Sequence, residues 1–274
     1  MLSYVHAFHA GNFADVHKHT VLTLSLEYLC RKSAPLALFD FYAGAGVYDL
    51  QDAQARKTAE SDAGIGLLWP HPEWPPVVAG YGASLSALNA GGLRSYPGSP
   101  ELLIRLSREQ DSVVLVELHP AAYASLQKRY GKDSRVHLHR RDAHEAIRAL
   151  LPPSQPRGLV LLDPSYEGRD EFSSVSSSVR KALPGWRHGV WCIWYPLLTG
   201  NPHRPMVDSI LREAGREVLV SELRVPVSGD RMHGSGMLVI NPPYVLREQL
   251  DELGTWFAGL GAGAATLKNK LHQS

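Results

Sequence analysis

The chain has 274 residues, 44% of them hydrophobic and 20% charged, which is enough apolar material for one large domain and too much for a disordered protein. Lys plus Arg is 28 against 27 for Asp plus Glu, a net charge of +1, so bulk positive charge is excluded as a way of gripping a polyanion. The 2 cysteines, Cys30 in a predicted helix and Cys192 in a predicted strand, make neither a disulfide framework nor a zinc site.

The amino terminus Met1-Leu2-Ser3-Tyr4-Val5-His6 lacks a charged segment followed by an apolar one, and the apolar runs beyond it are strand-sized. Neither a signal peptide nor a membrane span is expected, and the chain is expected to work in the cytoplasm. His6, His9, His17, Lys18 and His19 crowd this end. Only Asp15 adds a carboxylate, so no metal is expected there. A helix is predicted over residues 13–32, with Asn12 or Asp15 as its cap and Leu22, Leu26 and Leu29 as an apolar stripe. Lys18 and His19 on its first turns are placed to face a cofactor or an incoming phosphate.

Leu36 to Tyr42 reads as a buried strand running into Ala43-Gly44-Ala45-Gly46, where the absence of a Cβ lets a ligand approach the backbone. The third glycine of a dinucleotide fingerprint would fall at Asp49, which argues against NAD. The next helix does not follow at once. Residues 49–96, centred on the proline-rich Trp69 to Pro76, are predicted to be an inserted helical subdomain, helical near 53–68 and 77–90. They interrupt a main domain made of 1–48 and 97–274.

From Pro97 the pattern resumes, with Ser99 as the expected cap of a helix beginning at Pro100. Strands are predicted at 112–118, 136–139 and 159–162, separated by helices at 121–130 and 143–150. This alternation indicates an α/β fold with a Rossmann-like, mostly parallel sheet whose ligands lie beyond the strands' carboxyl ends. Further on come a helix at 175–182, a strand at 189–195, a helix at 206–214, two strands at 217–225 and 236–240, and a last helix at 245–260. The two late strands suit the antiparallel ending of methyltransferases, for a seven-stranded sheet in all. The tail 261–274 reads as frayed.

Acidic residues close successive strands. Glu117 is placed to accept both ribose hydroxyls of a nucleotide-like ligand, and Asp142 to reach an adenine amino group. Asp163-Pro164-Ser165-Tyr166, at the end of Leu159 to Leu162, suits methyl transfer to an exocyclic amine. The lone pair of such a nitrogen is delocalised into its ring, and the Asp163 carboxylate and Pro164 carbonyl would each accept one N–H, freeing the lone pair to attack. Tyr166 would give the base a flat face, worth on the order of 1–3 kcal/mol. Asn241-Pro242-Pro243-Tyr244 matches the Asp/Asn-Pro-Pro-Tyr pattern more closely, but it is read as ending an antiparallel strand at the sheet edge, where prolines terminate pairing. Local basic groups for RNA would come from the amino-terminal cluster or from Arg135 to Arg141, the latter also readable as a solvated strand face.

Met1-Leu2-Ser3-Tyr4, His9-Ala10-Gly11-Asn12, Lys18-His19-Thr20, Ala43-Gly44-Ala45-Gly46, Tyr96-Pro97-Gly98-Ser99-Pro100, Glu117-Leu118-His119-Pro120, Asp163-Pro164, Trp194-Tyr195-Pro196 and Ile240-Asn241-Pro242-Pro243 stand in the order of another set of landmarks. By these the chain resembles the RlmJ-type 23S rRNA adenine-N6-methyltransferases over nearly its whole length. The resemblance implies a class I methyltransferase, expected to be a monomer, that modifies one adenine (the adenine-2030 type) of protein-free 23S ribosomal RNA. It implies S-adenosylmethionine contacts from His19, Tyr42, Ser99, Glu117, Asp142, Ala143 and Asp163, beside Gly44 of the glycine turn. It implies Asp163 as the catalytic residue, with Tyr4 near the base; His6 and Lys18 are also expected on the substrate side. Ser165 stands where that family is expected to have a second proline, so the loop is less rigid. Open alternatives are a DNA adenine methyltransferase, a protein glutamine methyltransferase working through Asn241, and a catalytically weak RNA-binding scaffold.

Overall fold

Leu36, Ala37, Leu38 and Phe39 offer no polar side chain until Asp40, and this run forms a central strand with other strands on both sides. In the computed structural model, residues 6–69, 74–168, 170–226, 232–261 and 264–273 are described. The chain opens with α1 (Phe13–Cys30), β1 (Ala37–Asp40) and β2 (Val47–Asp49). Short helices α2 (Ala53–Thr58), α3 (Ile65–Leu68) and α4 (Ala79–Ser86) precede β3 (Ser95–Pro97), which pairs antiparallel with β2. Then follow α5 (Ser99–Leu106), β4 (Ser112–Val116), α6 (Pro120–Tyr130), β5 (Val136–His139), α7 (Ala143–Leu150), β6 (Gly158–Leu162) and α8 (Glu171–Ala182). The last third holds β7 (Gly189–Leu197), α9 (Arg204–Glu213), β8 (Val218–Arg224), β9 (Gly234–Ile240), α10 (Leu246–Glu252), α11 (Gly254–Ala258) and β10 (Thr266–His272).

Among the described residues the main sheet has eight strands in the order β10-β8-β9-β7-β6-β1-β4-β5. The run from β7 to β5 is parallel; the pairings of β9 with β7 and β8, and of β10 with β8, are antiparallel. The mixed α/β expectation holds, with one strand more than the seven anticipated. The extra strand is the tail. Leu267 and Leu271 pack against the core while Lys268 and Lys270 point away, an alternation that pins the segment to β8.

Two other expectations change. The last helix breaks at Leu253-Gly254 into α10 and α11. The first helix has no single stripe: all of residues 14–26 are buried, because α1 lies between one face of the sheet and α4, α5 and α10. Asn12 caps it, its side-chain oxygen accepting the Ala14 and Asp15 amides at 2.9 and 3.0 Å. The core therefore has two halves. One gathers α1, Tyr81 and Leu85 of α4, Leu246 and Leu250 of α10 and Phe257 of α11 on one face of the sheet, and the other packs α7, α8 and α9 on the opposite face.

Candidate active site

The carboxyl ends of β1, β4, β5 and β6 open on one cavity of about 560 Å³, inside the size range of small-molecule sites. At the end of β1, Gly44 and Gly46 adopt φ of 64° and 86°, a conformation that favours glycine. An added Cβ on Gly44 would stand 2.3 Å from the Tyr48 hydroxyl, so the turn has no room for a side chain. The Gly44 amide donates to one oxygen of Glu117 at 2.7 Å, and the His119 amide donates to the other at 2.6 Å. The acid that closes β4 is thus fixed to the glycine turn of β1, with its remaining lone pairs free to accept from a ligand. Asp142 caps α7 by accepting the Glu145 amide at 3.0 Å, and Ala143 follows it; both line the cavity.

Asp163 closes β6, and its Oδ2 accepts from the Lys18 Nζ at 2.5 Å. Lys18 also reaches Asp15 at 2.8 Å, and Asp15 in turn meets the His6 ring at 3.0 Å and the Gly11 amide at 2.9 Å. Lys18 is only 4% exposed and its ammonium is shared between two carboxylates, so it is not free to meet a phosphate as the sequence suggested. Burial pulls the Lys18 ammonium towards neutrality, and the two carboxylates outweigh it and hold it charged. Burial pushes the Asp163 carboxyl above its usual range against the opposing pull of Lys18. Burial also pushes Asp15 upwards, yet His6 and Lys18 win and keep it well below the usual range.

His19 lines the cavity, and its Nδ1 is 2.8 Å from the Tyr96 hydroxyl, which pairs at 2.8 Å with that of Tyr81. Burial, aided by Lys18, lowers its pKa to about 3, so it is neutral. His17 is not part of the site: it points into the core, between Ser235 and Ser221.

Of the residues singled out from sequence, His6, Lys18, His19, Tyr42, Gly44, Ser99, Glu117, Asp142, Ala143 and Asp163 line this single cavity. Pro164 and Tyr166 do not. Tyr166 has φ of 53°, donates its hydroxyl to the Trp194 carbonyl at 2.7 Å, and stacks on Phe172 at 4.2 Å between ring centroids. One face of its ring is therefore covered by Phe172, and the Trp194 ring stands 6.0 Å away, so the ring is not the open platform for a base that the sequence suggested. Tyr4 lies outside the described residues. Ser99 is the first residue of α5 rather than its cap, Gly98 holding that place, and it lies close enough to Asp40 to pull that carboxyl's pKa downward.

Asp40 went unnoticed in the sequence, although an acid closing an otherwise apolar strand is a readable signal. It is fully buried, accepts the Tyr42 amide at 3.1 Å, and keeps Oδ2 without a partner. Burial raises its pKa to about 7 against the pull of Ser99 and the Tyr42 amide. Asp15 was noticed only as a possible cap and as the lone carboxylate beside the histidine cluster. Its role as the anchor of Lys18 depends on burial, which residue spacing does not show.

Asn241 stands elsewhere. The register sets Ile240 beside Trp191, at the amino end of β7, so Asn241-Pro242-Pro243-Tyr244 leaves the opposite end of the strands from Asp163. Its backbone amide donates to Glu217 and its side chain to the Gly189 carbonyl at 3.4 Å. The strand it ends, β9, lies between β8 and β7 and is not the outermost strand that the sequence reading expected; what separates Asn241 from Asp163 is that they stand at opposite ends of the strands.

The donor set suits a ligand with paired hydroxyls at Glu117 and positive charge towards Asp163. No helix among the described residues is long and apolar enough to cross a membrane. Three comparisons bear on what such a site belongs to. Residues 33–268 match the family model described as "Ribosomal RNA large subunit methyltransferase D, RlmJ". The chain is 39% identical to ribosomal RNA large subunit methyltransferase J of Escherichia coli K12, over 97% of this chain and 98% of that one. It is 38% identical to the protein of the same name from Haemophilus influenzae, over 92% of each. A solved structure from Legionella pneumophila superposes with a TM-score of 0.89 at 31% identity, covering 97% of this chain and 98% of the other. With the family model matching most of its length and these relatives matching nearly all of it, the chain belongs to the RlmJ family of ribosomal RNA large subunit methyltransferases.

Proposed function

We propose that this protein transfers a methyl group from S-adenosylmethionine to the N6 amine of one adenine, of the adenine-2030 type, in protein-free 23S ribosomal RNA, acting as a monomer in the cytoplasm. The supporting observation is that Asp163 and the Gly44–Glu117 clasp, at adjacent parallel strand ends, share one cavity.

The donor supplies an electrophilic methyl carbon on a sulfonium. Glu117, held by two backbone amides, accepts the ribose hydroxyls, and Gly44 lets that end of the ligand lie close to the backbone. Asp142 and Ala143 face the adenine end, while His19, Tyr42 and Ser99 line the remaining wall. Lys18 occupies Oδ2 of Asp163, so Oδ1 is the oxygen that accepts an N–H of the incoming amine; the second N–H falls to the carbonyl of Pro164, which adjoins Asp163 but stands outside the cavity lining, so reaching it requires the loop to shift. Lys18 opposes the burial that pushes the Asp163 carboxyl upward, and so favours its ionised form. After attack the nitrogen carries a positive charge, and its surplus proton passes to Asp163 or to water.

Asp163→Ala is expected to abolish N6-methyladenine formation on protein-free rRNA while leaving S-adenosylhomocysteine affinity within a few-fold, as read by calorimetric titration. An active alanine variant would overturn the assignment. A glutamine methyltransferase built on Asn241 is disfavoured by that residue's place at the far end of the strands.

A further inference from the structure

A near-neutral protein that acts on RNA must gather its positive charge, and neither cluster readable in the sequence does so. The amino-terminal cluster is tied up in the Asp15–Lys18–Asp163 chain, and in the second cluster Arg135 is bound to Asp133 and to the Ser107 carbonyl that ends α5, which leaves Arg141 at the cavity itself and Arg140 on the β5 side as its unpaired cations among the described residues. A third group, scattered in sequence, is brought together by the fold. β10 pairs with β8 so that Lys268 stands across from Glu222 and Thr266 across from Arg224, and β9 continues those rows to Tyr195 and Leu197 of β7. Lys268, Lys270 and Arg224 therefore share one face of the sheet. On the same face the ring of His203, just ahead of Arg204 at the start of α9, stacks on Tyr195 at 5.0 Å between centroids. Arg204 and Arg224 both lie close enough to act on the His203 charge.

Arg204, Lys268 and Lys270 are exposed and make no ion pair among the described residues; of the nearby acids, Glu222 is paired with Arg224 at 3.0 Å and Asp208 lies one turn along α9 from Arg204. His203 is fully buried, with neither ring nitrogen hydrogen-bonded. The cluster also touches the catalytic loop: the Tyr166 hydroxyl lies 3.7 Å from the sulfur of Met206, two residues along α9 from Arg204.

Resting on the proposed RNA substrate, we infer that this surface, running from the α9 amino terminus across β8 to β10, is the track along which the RNA backbone leaves the catalytic loop. Arg204, Lys268 and Lys270 are its phosphate contacts. Three strand spacings separate Tyr195 from Lys268, a width of about 14 Å.

The test compares the unmodified protein with Arg204→Gln/Lys268→Gln/Lys270→Gln and with a control, Lys128→Gln/Lys132→Gln/Arg140→Gln, which removes equal charge from the β5 side. Binding to a protein-free 23S rRNA fragment is followed by fluorescence anisotropy across a salt series, alongside turnover at saturating RNA and S-adenosylhomocysteine titration. The track variant is expected to bind RNA on the order of tenfold more weakly at low salt, with its log Kd against log salt slope shallower by about 2. Its kcat and cofactor-product affinity should be unchanged, and the control should behave like the unmodified protein. Unchanged RNA affinity and slope in the track variant, or an equal loss in the control, would overturn the inference. Failure of the unmodified protein to methylate any RNA would instead overturn the substrate reading on which it rests.

Discussion

Asp40 couples the site to pH. Its folded-state pKa of about 7 lies well above the ordinary carboxylate value, so the folded protein holds a proton there that the unfolded chain has released. Its contribution to stability is therefore present in full below about pH 4 and lost as pH rises through about 7. Asp40→Asn is expected to flatten the decline in stability between about pH 4 and 7, and to raise stability at pH 8 by on the order of a few kcal/mol, in urea unfolding series run at each pH. An unchanged pH profile would mean that the carboxyl is not held protonated. At the level of single residues, Asp163, Glu117 and Gly44 were legible because strand ends and glycine turns announce themselves in sequence. The Lys18 chain was not. Whether a lysine meets phosphate or two buried carboxylates depends on what packs over it, and the residues over Lys18 come from β6 and β7.

Elements failed to be legible where a short polar residue pattern hid a buried one. β10 alternates Leu267, Leu271 and Asn269 inward with Lys268 and Lys270 outward, and the lysines made it look like a loose tail. They are the usual guard of an edge strand against pairing with another chain. The double variant Leu267→Ala/Leu271→Ala is expected to lower stability by about 2 kcal/mol in all, roughly half the low end of a core leucine truncation at each position because both side chains are only partly buried. A urea midpoint equal to that of the unmodified protein would show that β10 does not hold the sheet. For α1, leucine spacing predicted one buried stripe, but the residues between those leucines are also buried, among them His17 and Thr20. Their polar groups are satisfied by Ser221, Ser235 and the Val16 carbonyl, bonds that only the folded chain supplies.

At the scale of the molecule, strand order separates the two Pro-Tyr motifs. Chain order alone placed Asp163 beside the glycine turn, and the parallel pairing of β6 with β1 agrees. Asn241 lies at the other end of the strands with φ of 56°. Asn241→Ala is therefore expected to keep full turnover per folded molecule while losing about 1 kcal/mol of stability to the strained backbone, a split visible when activity and thermal unfolding are measured together. Loss of turnover without loss of stability would move the chemistry to that motif. We further propose the division into a methyltransferase domain (1–48 and 97–274) and an inserted helical subdomain (49–96), motivated by the β2–β3 ribbon that spans the junctions and by the Tyr96 hydroxyl on His19. The experiment that bears most directly on the whole account incubates protein-free 23S rRNA with methyl-labelled S-adenosylmethionine and either the unmodified protein or Asp163→Ala, then separates the digested nucleosides. Label confined to N6-methyladenosine with the unmodified protein, and absent with the variant, is the predicted result. Label in another nucleoside, or undiminished label with the variant, would contradict it.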